Sequence, residues 1–143
     1  LEYKEFAGVQ QNFTDPDLAV EFVEHTGIDV LAISFGNVHG RYSGENKLDY
    51  NIIRQVYDKL EIPLVMHGGS GLPDEIYPQV IDAGISKINY YTNIARKGAI
   101  STAEVCRRDG EDVIEHTLIA NSIEFYYSES KRVLQLFRAA GKA

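Results

Sequence analysis

Cysteine is nearly absent from this sequence, because Cys106 is the only one among 143 residues. A single thiol cannot form an internal disulfide or build a cysteine-rich zinc site, which favours a reducing, cytoplasmic setting. No apolar stretch approaches the ~20 residues of a membrane span, and residues 1–5 are unlike a signal peptide. We therefore expect no membrane association. The chain starts at Leu1 rather than Met, so we expect it to belong to a longer protein.

Basic residues are also scarce, with 14 Lys and Arg against 21 Asp and Glu and a net charge of −7. An acidic chain without a basic run is a poor binder of nucleic acid. A local anion site stays compatible with this charge, since backbone N–H groups can bind an anion. Hydrophobic residues make up 44%, enough to support a core. The length suits one domain but falls well short of the ~250 residues of a complete eight-stranded α/β barrel.

Helical and extended patterns alternate through most of the chain. Apolar periodicity predicts helices over 15–26, 49–60 and 74–83, and strands over 29–35, 62–66 and 85–90. The first strand is a nearly continuous apolar run, typical of a parallel strand covered on both faces, and the spacing of the three strands fits right-handed crossovers. Thr14 is expected to cap the first helix, and Gly27 to follow its last turn. The predicted fold class is therefore α/β with a parallel sheet.

Beyond Asn93 the pattern becomes purely helical. Helices are predicted over 94–108 and 110–140, with a break expected near Ser122. No low-complexity segment or linker interrupts the chain, and residues 1–13 show only weak periodicity.

Unusual residues follow each predicted strand, where parallel α/β folds place their chemistry. The three segments are Gly36–Gly40, His67–Gly71 and Lys87–Thr92. His39 and His67 stand at equivalent strand ends, so their imidazoles can converge on one Zn²⁺, although a catalytic zinc site normally has three protein ligands. The alternative is that each histidine is simply a hydrogen-bonded turn residue.

The second segment contains a small-residue loop, Gly68-Gly69-Ser70-Gly71. Its backbone N–H groups can form an anion nest, to which Ser70 adds a hydroxyl. Asn89 and Thr92 on the neighbouring strand end can face the same anion. The alternatives are a tight turn for the loop, and helix capping by Thr92 or Asn93.

The remaining candidates are interpreted as structural. His25 lies in the last turn of a predicted helix, where a cation interacts well with the helix dipole. His116 lies in the helical C-terminal region, and Cys106 has no partner spaced to make it a nucleophile. No Ser-His-Asp order, CxxC motif or GxGxxG fingerprint is present.

The three strand-end motifs together resemble the class II, zinc-dependent fructose-bisphosphate and tagatose-bisphosphate aldolases. The resemblance is close over residues 14–92 and looser over the C-terminal helices, and it does not distinguish fructose from tagatose substrates. It implies a (β/α)₈ TIM barrel, of which this chain resembles the last three β/α units. Residues 1–13 would then be a remnant loop, residues 14–92 the units carrying the motifs, and residues 93–143 the C-terminal helices.

The resemblance also implies roles for individual residues. In the family, zinc polarises the ketone of dihydroxyacetone phosphate and stabilises the enediolate formed on carbon–carbon cleavage. The implied zinc ligands are His39 and His67. The implied groups for the phosphorylated ketose substrate are Gly40, the phosphate loop Gly68, Gly69 and Ser70, and the pair Asn89 and Thr92. The resemblance further implies a cytoplasmic enzyme of carbohydrate metabolism, such as glycolysis, that forms homodimers or homotetramers.

This sequence lacks the family's residues for the third zinc ligand and for the catalytic acid/base. The family's Asp-His pair supplies the third zinc-binding histidine and the acid/base, and no Asp-His dipeptide occurs here. No catalytic residue is therefore identified, and we expect the isolated chain to be weakly active or inactive. No motif marks a residue for a second phosphate, for which Arg41, Arg96 and Arg132 are only guesses. The alternatives are a non-catalytic sugar-phosphate-binding or complementing module, and a metal-free phosphate-binding barrel isomerase.

Overall fold

The computed structural model describes residues 13–38 and 47–142, which form a three-stranded parallel sheet and five α-helices. The strands lie side by side in the order β1 (Leu31–Ala32), β2 (Leu64–Met66), β3 (Ile85–Ile88). The helices are α1 (Pro16–Thr26), α2 (Tyr50–Lys59), α3 (Ile76–Ala83), α4 (Thr92–Asp109) and α5 (Glu115–Leu136), and a 3₁₀ turn at Gly110–Asp112 joins the last two. The predicted α/β class and parallel sheet are confirmed. His39 and Gly40 lie outside the described residues, as do the guessed Arg41 and nearly all of the predicted remnant loop.

The strands are shorter than predicted, and only β2 is buried along its whole length. Ala32 is exposed, so the expectation of a strand covered on both faces is wrong for β1, and Lys87 in β3 is exposed as well. After β1 the backbone of Ser34 pairs with Thr14 and no longer with the β2 strand. The Ser34 N–H donates to Thr14 Oγ1 at 2.8 Å, and the Thr14 N–H donates to the Ser34 carbonyl at 2.7 Å.

These contacts with Ser34 also decide how α1 begins. The Thr14 hydroxyl is used across the fold, so the prediction that Thr14 caps α1 is wrong. The cap is Asp15, whose carboxylate accepts from the N–H groups of Asp17 and Leu18 at 2.9 and 3.1 Å. Gly27 follows the helix with a φ of 64°, as predicted from its position.

The core lies between the sheet and the helices α2 and α3. Its large side chains are completely buried, which fixes the positions of the strand ends above them. They are Phe35, Ile53, Val56, Leu64, Met66, Tyr77 and Val80.

The last two helices pack as an antiparallel pair. A Cβ atom at Gly98 would lie 3.0 Å from the Tyr126 hydroxyl, so glycine permits this close approach. The expected break near Ser122 is wrong, because α5 is continuous there. The Ser122 hydroxyl lies 3.4 Å from Thr102 Oγ1 on α4. This contact gives the polar side chain a partner without interrupting the helix. None of the helices in the described part of the chain is long and apolar enough to cross a membrane.

Candidate functional site

The segments after β2 and β3 run together beyond the ends of the strands. The Asn89 N–H donates to the Met66 carbonyl at 3.0 Å, and the Gly69 N–H donates to the Asn89 carbonyl at 3.1 Å. Two of the three predicted site segments therefore lie side by side at the carboxyl edge of the sheet.

His67 is half-buried at the end of β2, and its ring contacts a side chain from the β3 end. Its Nδ1 lies 2.9 Å from Asn89 Nδ2, and Asn89 Oδ1 accepts from Lys87 Nζ at 2.5 Å. An ammonium group only donates hydrogen bonds, so it fixes the oxygen of the Asn89 amide toward Lys87 and the nitrogen toward His67. Lys87 belongs to a motif singled out in the sequence, but sequence reasoning assigned it no role.

Asn37 ties the segment after β1 to the same site. Its amide accepts from the Phe35 N–H at 2.9 Å and donates to the His67 carbonyl at 2.9 Å. Gly36 next to it has a φ of 102°, and a Cβ there would lie 2.3 Å from the Lys47 carbonyl oxygen. Sequence reasoning gave Asn37 no separate role, although an Asn directly after a strand and a glycine is a signal for such a contact.

Contacts from both sides hold the small-residue loop 68–71. A Cβ at Gly69 would lie 2.5 Å from Ile88 Cγ2, so only glycine fits at this crossing with β3. The buried Tyr77 hydroxyl donates to the Gly69 carbonyl at 2.7 Å. Ser70 is 6% exposed, and its Oγ accepts from the Tyr91 N–H at 2.8 Å.

This loop differs in one respect from a complete anion nest. The Gly69 N–H is already used by Asn89. Within the part of the chain that the structure describes, no hydrogen-bond acceptor is paired with the N–H groups of Ser70 and Gly71. The Ser70 hydroxyl also keeps a proton to donate. Two N–H groups and one hydroxyl therefore remain as donors for an anion.

The bond between Ser70 and Tyr91 brings the start of α4 to the loop. The helix begins at Thr92 without a side-chain cap and without an acidic residue in its first turn. Neither Thr92 nor Asn93 acts as the cap, since Asn93 Nδ2 instead donates to the Tyr90 hydroxyl at 3.1 Å. An 18-residue helix thus presents an uncapped, partially positive end beside the small-residue loop.

The described residues offer a metal a single imidazole at this site, that of His67. They contain no cluster of three or more His, Cys, Asp or Glu side chains placed to hold a metal ion. A neutral imidazole whose Nδ1 accepts a hydrogen bond has a lone pair there and is chemically suited to Zn²⁺ as one ligand of a larger set. The structure does not test the predicted pairing of His67 with His39, because His39 is not described.

The other titratable candidates lie away from this site. His25 Nδ1 lies 2.7 Å from the Glu21 carbonyl within α1, whereas His116 and Cys106 are exposed on α5 and α4. Arg132 on α5 donates to Glu129 at 2.9 and 3.0 Å and to Asp74 at 2.7 Å. Hydrogen bonding to Glu129 raises the pKa of Arg132, and the same bond lowers the pKa of Glu129. Arg132 is thus already committed to carboxylates.

Comparison with known proteins places this architecture among aldolases. A sequence model described as class-II fructose-bisphosphate aldolase matches residues 2–142. The YdjI aldolase from Escherichia coli K12 has a crystal structure with a TM-score of 0.80 and 34% identity, over 92% of this chain and 48% of that one. Its sequence, named "Uncharacterized protein YdjI", is 42% identical over 93 residues, which are 65% of this chain and 34% of that protein.

Two further crystal structures have the same fold. A putative fructose-1,6-biphosphate aldolase from Coccidioides immitis has a TM-score of 0.77 and 27% identity, over 91% of this chain and 45% of that one. The fructose-bisphosphate aldolase from Campylobacter jejuni has a TM-score of 0.72 over 88% of this chain and 45% of that one, and its 21% identity supports the fold alone. This chain spans between 34% and 48% of the length of these relatives.

Proposed function

This chain belongs to the class-II fructose-bisphosphate aldolase family, and we propose that it supplies the phosphate-binding side and a metal-binding histidine of a ketose-bisphosphate aldolase. The reaction is the reversible aldol cleavage of a phosphorylated ketose to dihydroxyacetone phosphate and an aldehyde. The observation that carries this proposal is the position of His67 directly beside the loop 68–71, at the uncapped start of α4.

The phosphate of the substrate is proposed to bind between this loop and α4. A phosphate dianion needs several donors and a positive potential, which a helix N-terminus supplies. The N–H groups of Ser70 and Gly71, the Ser70 hydroxyl and the first turn of α4 at Thr92 all lie on this side of the site. Gly68 and Gly69 are assigned to this phosphate loop from the motif, and the glycine at position 69 lets the loop cross close to Ile88 of β3.

His67 and His39 are proposed as two zinc ligands, His67 from its imidazole beside Asn89 and His39 from its motif alone. Zinc, when bound, supplies Lewis-acid polarisation of a carbonyl oxygen. This chain orients His67 through Asn37 and Asn89, and its loop fixes the phosphate end of the substrate. Gly40 is proposed to lie near the substrate. The remaining ligand and the acid/base are proposed to come from a part of the protein outside this chain.

The wider assignments follow the family. We propose that the three β/α units are the last three of a (β/α)₈ barrel, with residues 93–143 as its C-terminal helices. The chain covers 48% of the YdjI aldolase structure, which leaves room for such additional units. The complete protein is proposed to be a cytoplasmic homodimer or homotetramer.

Binding of inorganic phosphate and of dihydroxyacetone phosphate to the 143-residue chain tests the phosphate site. We expect chemical-shift changes at the backbone amides of Ser70, Gly71 and Thr92. Ser70→Ala should weaken binding by roughly ten- to a hundredfold, because one hydrogen bond to a charged ligand is worth about 1.5–3 kcal/mol. Ser128→Ala on the exposed face of α5 is the matched control. Equal affinity of the two variants would contradict the assignment.

Turnover tests the completeness of the site. The chain loaded with Zn²⁺ should cleave fructose or tagatose bisphosphate weakly or not at all, because it contains no Asp-His pair. Fusing it behind the first half of the YdjI aldolase should give measurable cleavage, which His67→Ala should abolish. Efficient cleavage by the 143-residue chain alone would sink the idea that the site is incomplete.

A complementing module without activity of its own is the second candidate. Exposed apolar side chains on α1 and just before β1 favour it, since Leu18 and Phe22 of α1 are 63% and 52% exposed and Val30 is 45% exposed. Exposed apolar side chains of this size are typical of a surface that another element covers. The chain and a separately produced first half of the YdjI aldolase should then associate, and Leu18→Ser with Phe22→Ser should prevent this, whereas Ile119→Ser with Ile123→Ser on α5 should not.

A further inference from the structure

Three polar side chains form a hydrogen-bonded series that leads from the exposed edge of β3 to the ring of His67. Lys87 Nζ donates to Asn89 Oδ1 at 2.5 Å, and Asn89 Nδ2 lies 2.9 Å from His67 Nδ1. Lys87 and Asn89 are two residues apart on one extended segment, so their side chains project from the same face. This series connects the metal-ligand candidate to Lys87, a residue of the third strand-end motif to which no role has been assigned.

The donor and acceptor roles in this series are fixed by chemistry. Lys87 can only donate, so the Asn89 oxygen must face it and the Asn89 NH₂ group must face His67. That NH₂ group also can only donate, so Nδ1 of a neutral His67 accepts and its ring hydrogen resides on Nε2. Rotating the amide by half a turn would place its NH₂ group against the ammonium of Lys87, which is unfavourable.

The main chain of Asn89 is held in place by two backbone hydrogen bonds. Its N–H is bonded to the Met66 carbonyl and its carbonyl accepts from the Gly69 N–H. Only the side chain can therefore reorient, and Lys87 restrains that reorientation.

We propose that Lys87 and Asn89 are positioning residues that keep Nδ1 of His67 unprotonated and thereby make Nδ1 its metal-binding atom. This inference rests on the proposed role of His67 as a metal ligand. In the metal-free protein the Asn89 NH₂ group occupies the lone pair of Nδ1. If Nδ1 held a metal, its lone pair would no longer accept from Asn89, and the Asn89 amide would then be available to the phosphorylated substrate.

Nitrogen NMR of the metal-free, ¹⁵N-labelled chain at about pH 8, where an ordinary imidazole is neutral, measures the tautomer directly. The His67 signals are identified by their loss in His67→Phe. We expect His67 with the hydrogen on Nε2. Lys87→Met should allow the amide to rotate and produce a mixture of tautomers, whereas Lys131→Met on α5 should leave the signals unchanged. A mixed tautomer in the unaltered chain, or no change in Lys87→Met, overturns the proposal.

Asn89→Asp provides an inverted test. A carboxylate only accepts, so it should move the hydrogen of His67 from Nε2 to Nδ1, a change that a purely structural role of Asn89 would not produce. Retention of the Nε2–H tautomer in this variant counts against the proposal.

Addition of Zn²⁺ alone, without substrate, separates this inference from the proposed function. We expect the Nδ1 signal of His67 to shift together with the side-chain NH₂ signals of Asn89. Zinc bound through Nε2 with Asn89 unmoved overturns the positioning role. If zinc leaves every histidine unchanged, the proposed metal site fails, and the tautomer measurements alone still decide the roles of Lys87 and Asn89.

Discussion

The sheet region and the α4–α5 pair are built in opposite ways. From α2 to β3 most large apolar side chains are buried or partly buried, with Ile53, Met66 and Tyr77 completely so and Tyr57 as an exposed exception. In α4 and α5 only Gly98, Val105 and Val133 are buried, and several large apolar side chains are exposed. Those are Ile100, Ile119, Ile123, Tyr126, Tyr127 and Leu134. The candidate site lies on the region whose geometry packing determines, which suits a site that must hold its ligands without rearrangement.

Aromatic side chains form part of the contact between the two regions. Phe137, just after α5, packs against Tyr77 with ring centroids 5.0 Å apart and against Tyr90 at 6.0 Å. Tyr77 in turn holds the Gly69 carbonyl, and Tyr90 adjoins Asn89. The helical pair therefore reaches the site through aromatic rings that lie under it.

Truncating one isoleucine in each region gives the largest contrast. Ile53→Ala, at a fully buried position, should lower the free energy of unfolding by about 3 kcal/mol, because it removes buried methyl groups and leaves a cavity. Ile123→Ala, at a position 66% exposed, should change it by less than about 0.5 kcal/mol. Urea unfolding followed by circular dichroism measures both, and equal losses would remove the distinction between the regions.

Adding a methyl group at the site tests how tightly the sheet region is packed. Gly69→Ala should cost about 1–3 kcal/mol, because its Cβ would overlap Ile88 at 2.5 Å. The residue has no positive φ, so the cost is one of space alone. Gly71→Ala is the complementary control, since its φ of 86° makes it a test of backbone strain with open space around the Cβ. A tolerated alanine at Gly69 would contradict the close packing of the loop on β3.

Removing one hydroxyl tests the link beneath the loop. Tyr77→Phe should cost about 1–2 kcal/mol, because the Gly69 carbonyl loses a buried donor. It should also weaken phosphate binding, since the loop loses an anchor. Tyr127→Phe, at a position 64% exposed on α5, should change neither quantity. Thermal unfolding with and without phosphate distinguishes the two variants, and unchanged phosphate binding in Tyr77→Phe would disprove the link.

The sequence alone predicts the order of elements and the strand-end placement of the motifs, because both follow from local periodicity. The sequence alone does not predict the features that depend on a residue far away in the chain. Thr14 and Asp15 are both good caps, and the pairing of Thr14 with Ser34 selects Asp15. The continuity of α5 at Ser122 depends on the facing Thr102 in the same manner.

The site divides along the same line. The family resemblance predicted from the three motifs is confirmed by the match over residues 2–142. His67, Ser70 and Asn89 are brought together as their positions at neighbouring strand ends predict. The bond from Lys87 to Asn89 could not be predicted, since it depends on side-chain geometry, whereas the position of Asn37 after a strand and a glycine was an unused signal for its bond to His67. The roles assigned to His39 and Gly40 stay predictions.

The smallest effect concerns the ion pair between Glu129 and Arg132 within α5, whose arginine also contacts Asp74 before α3. The Arg132 hydrogen bond lowers the pKa of Glu129, so the folded state favours the charged carboxylate. The stabilisation is therefore present above the ordinary pKa of ~4.3 and is lost as the pH falls through the lowered value. Glu129→Gln should cost up to about 1 kcal/mol at neutral pH, and this cost should disappear once the pH is below the lowered pKa, where the native carboxyl is also neutral.

Melting temperatures of the two proteins across this pH range measure that difference, with Glu104→Gln on the exposed face of α4 as the control. The two curves should converge as the pH falls, because protonation and substitution remove the same charge. A gap between the curves that persists at low pH would mean that Glu129 stabilises α5 by packing rather than by its charge.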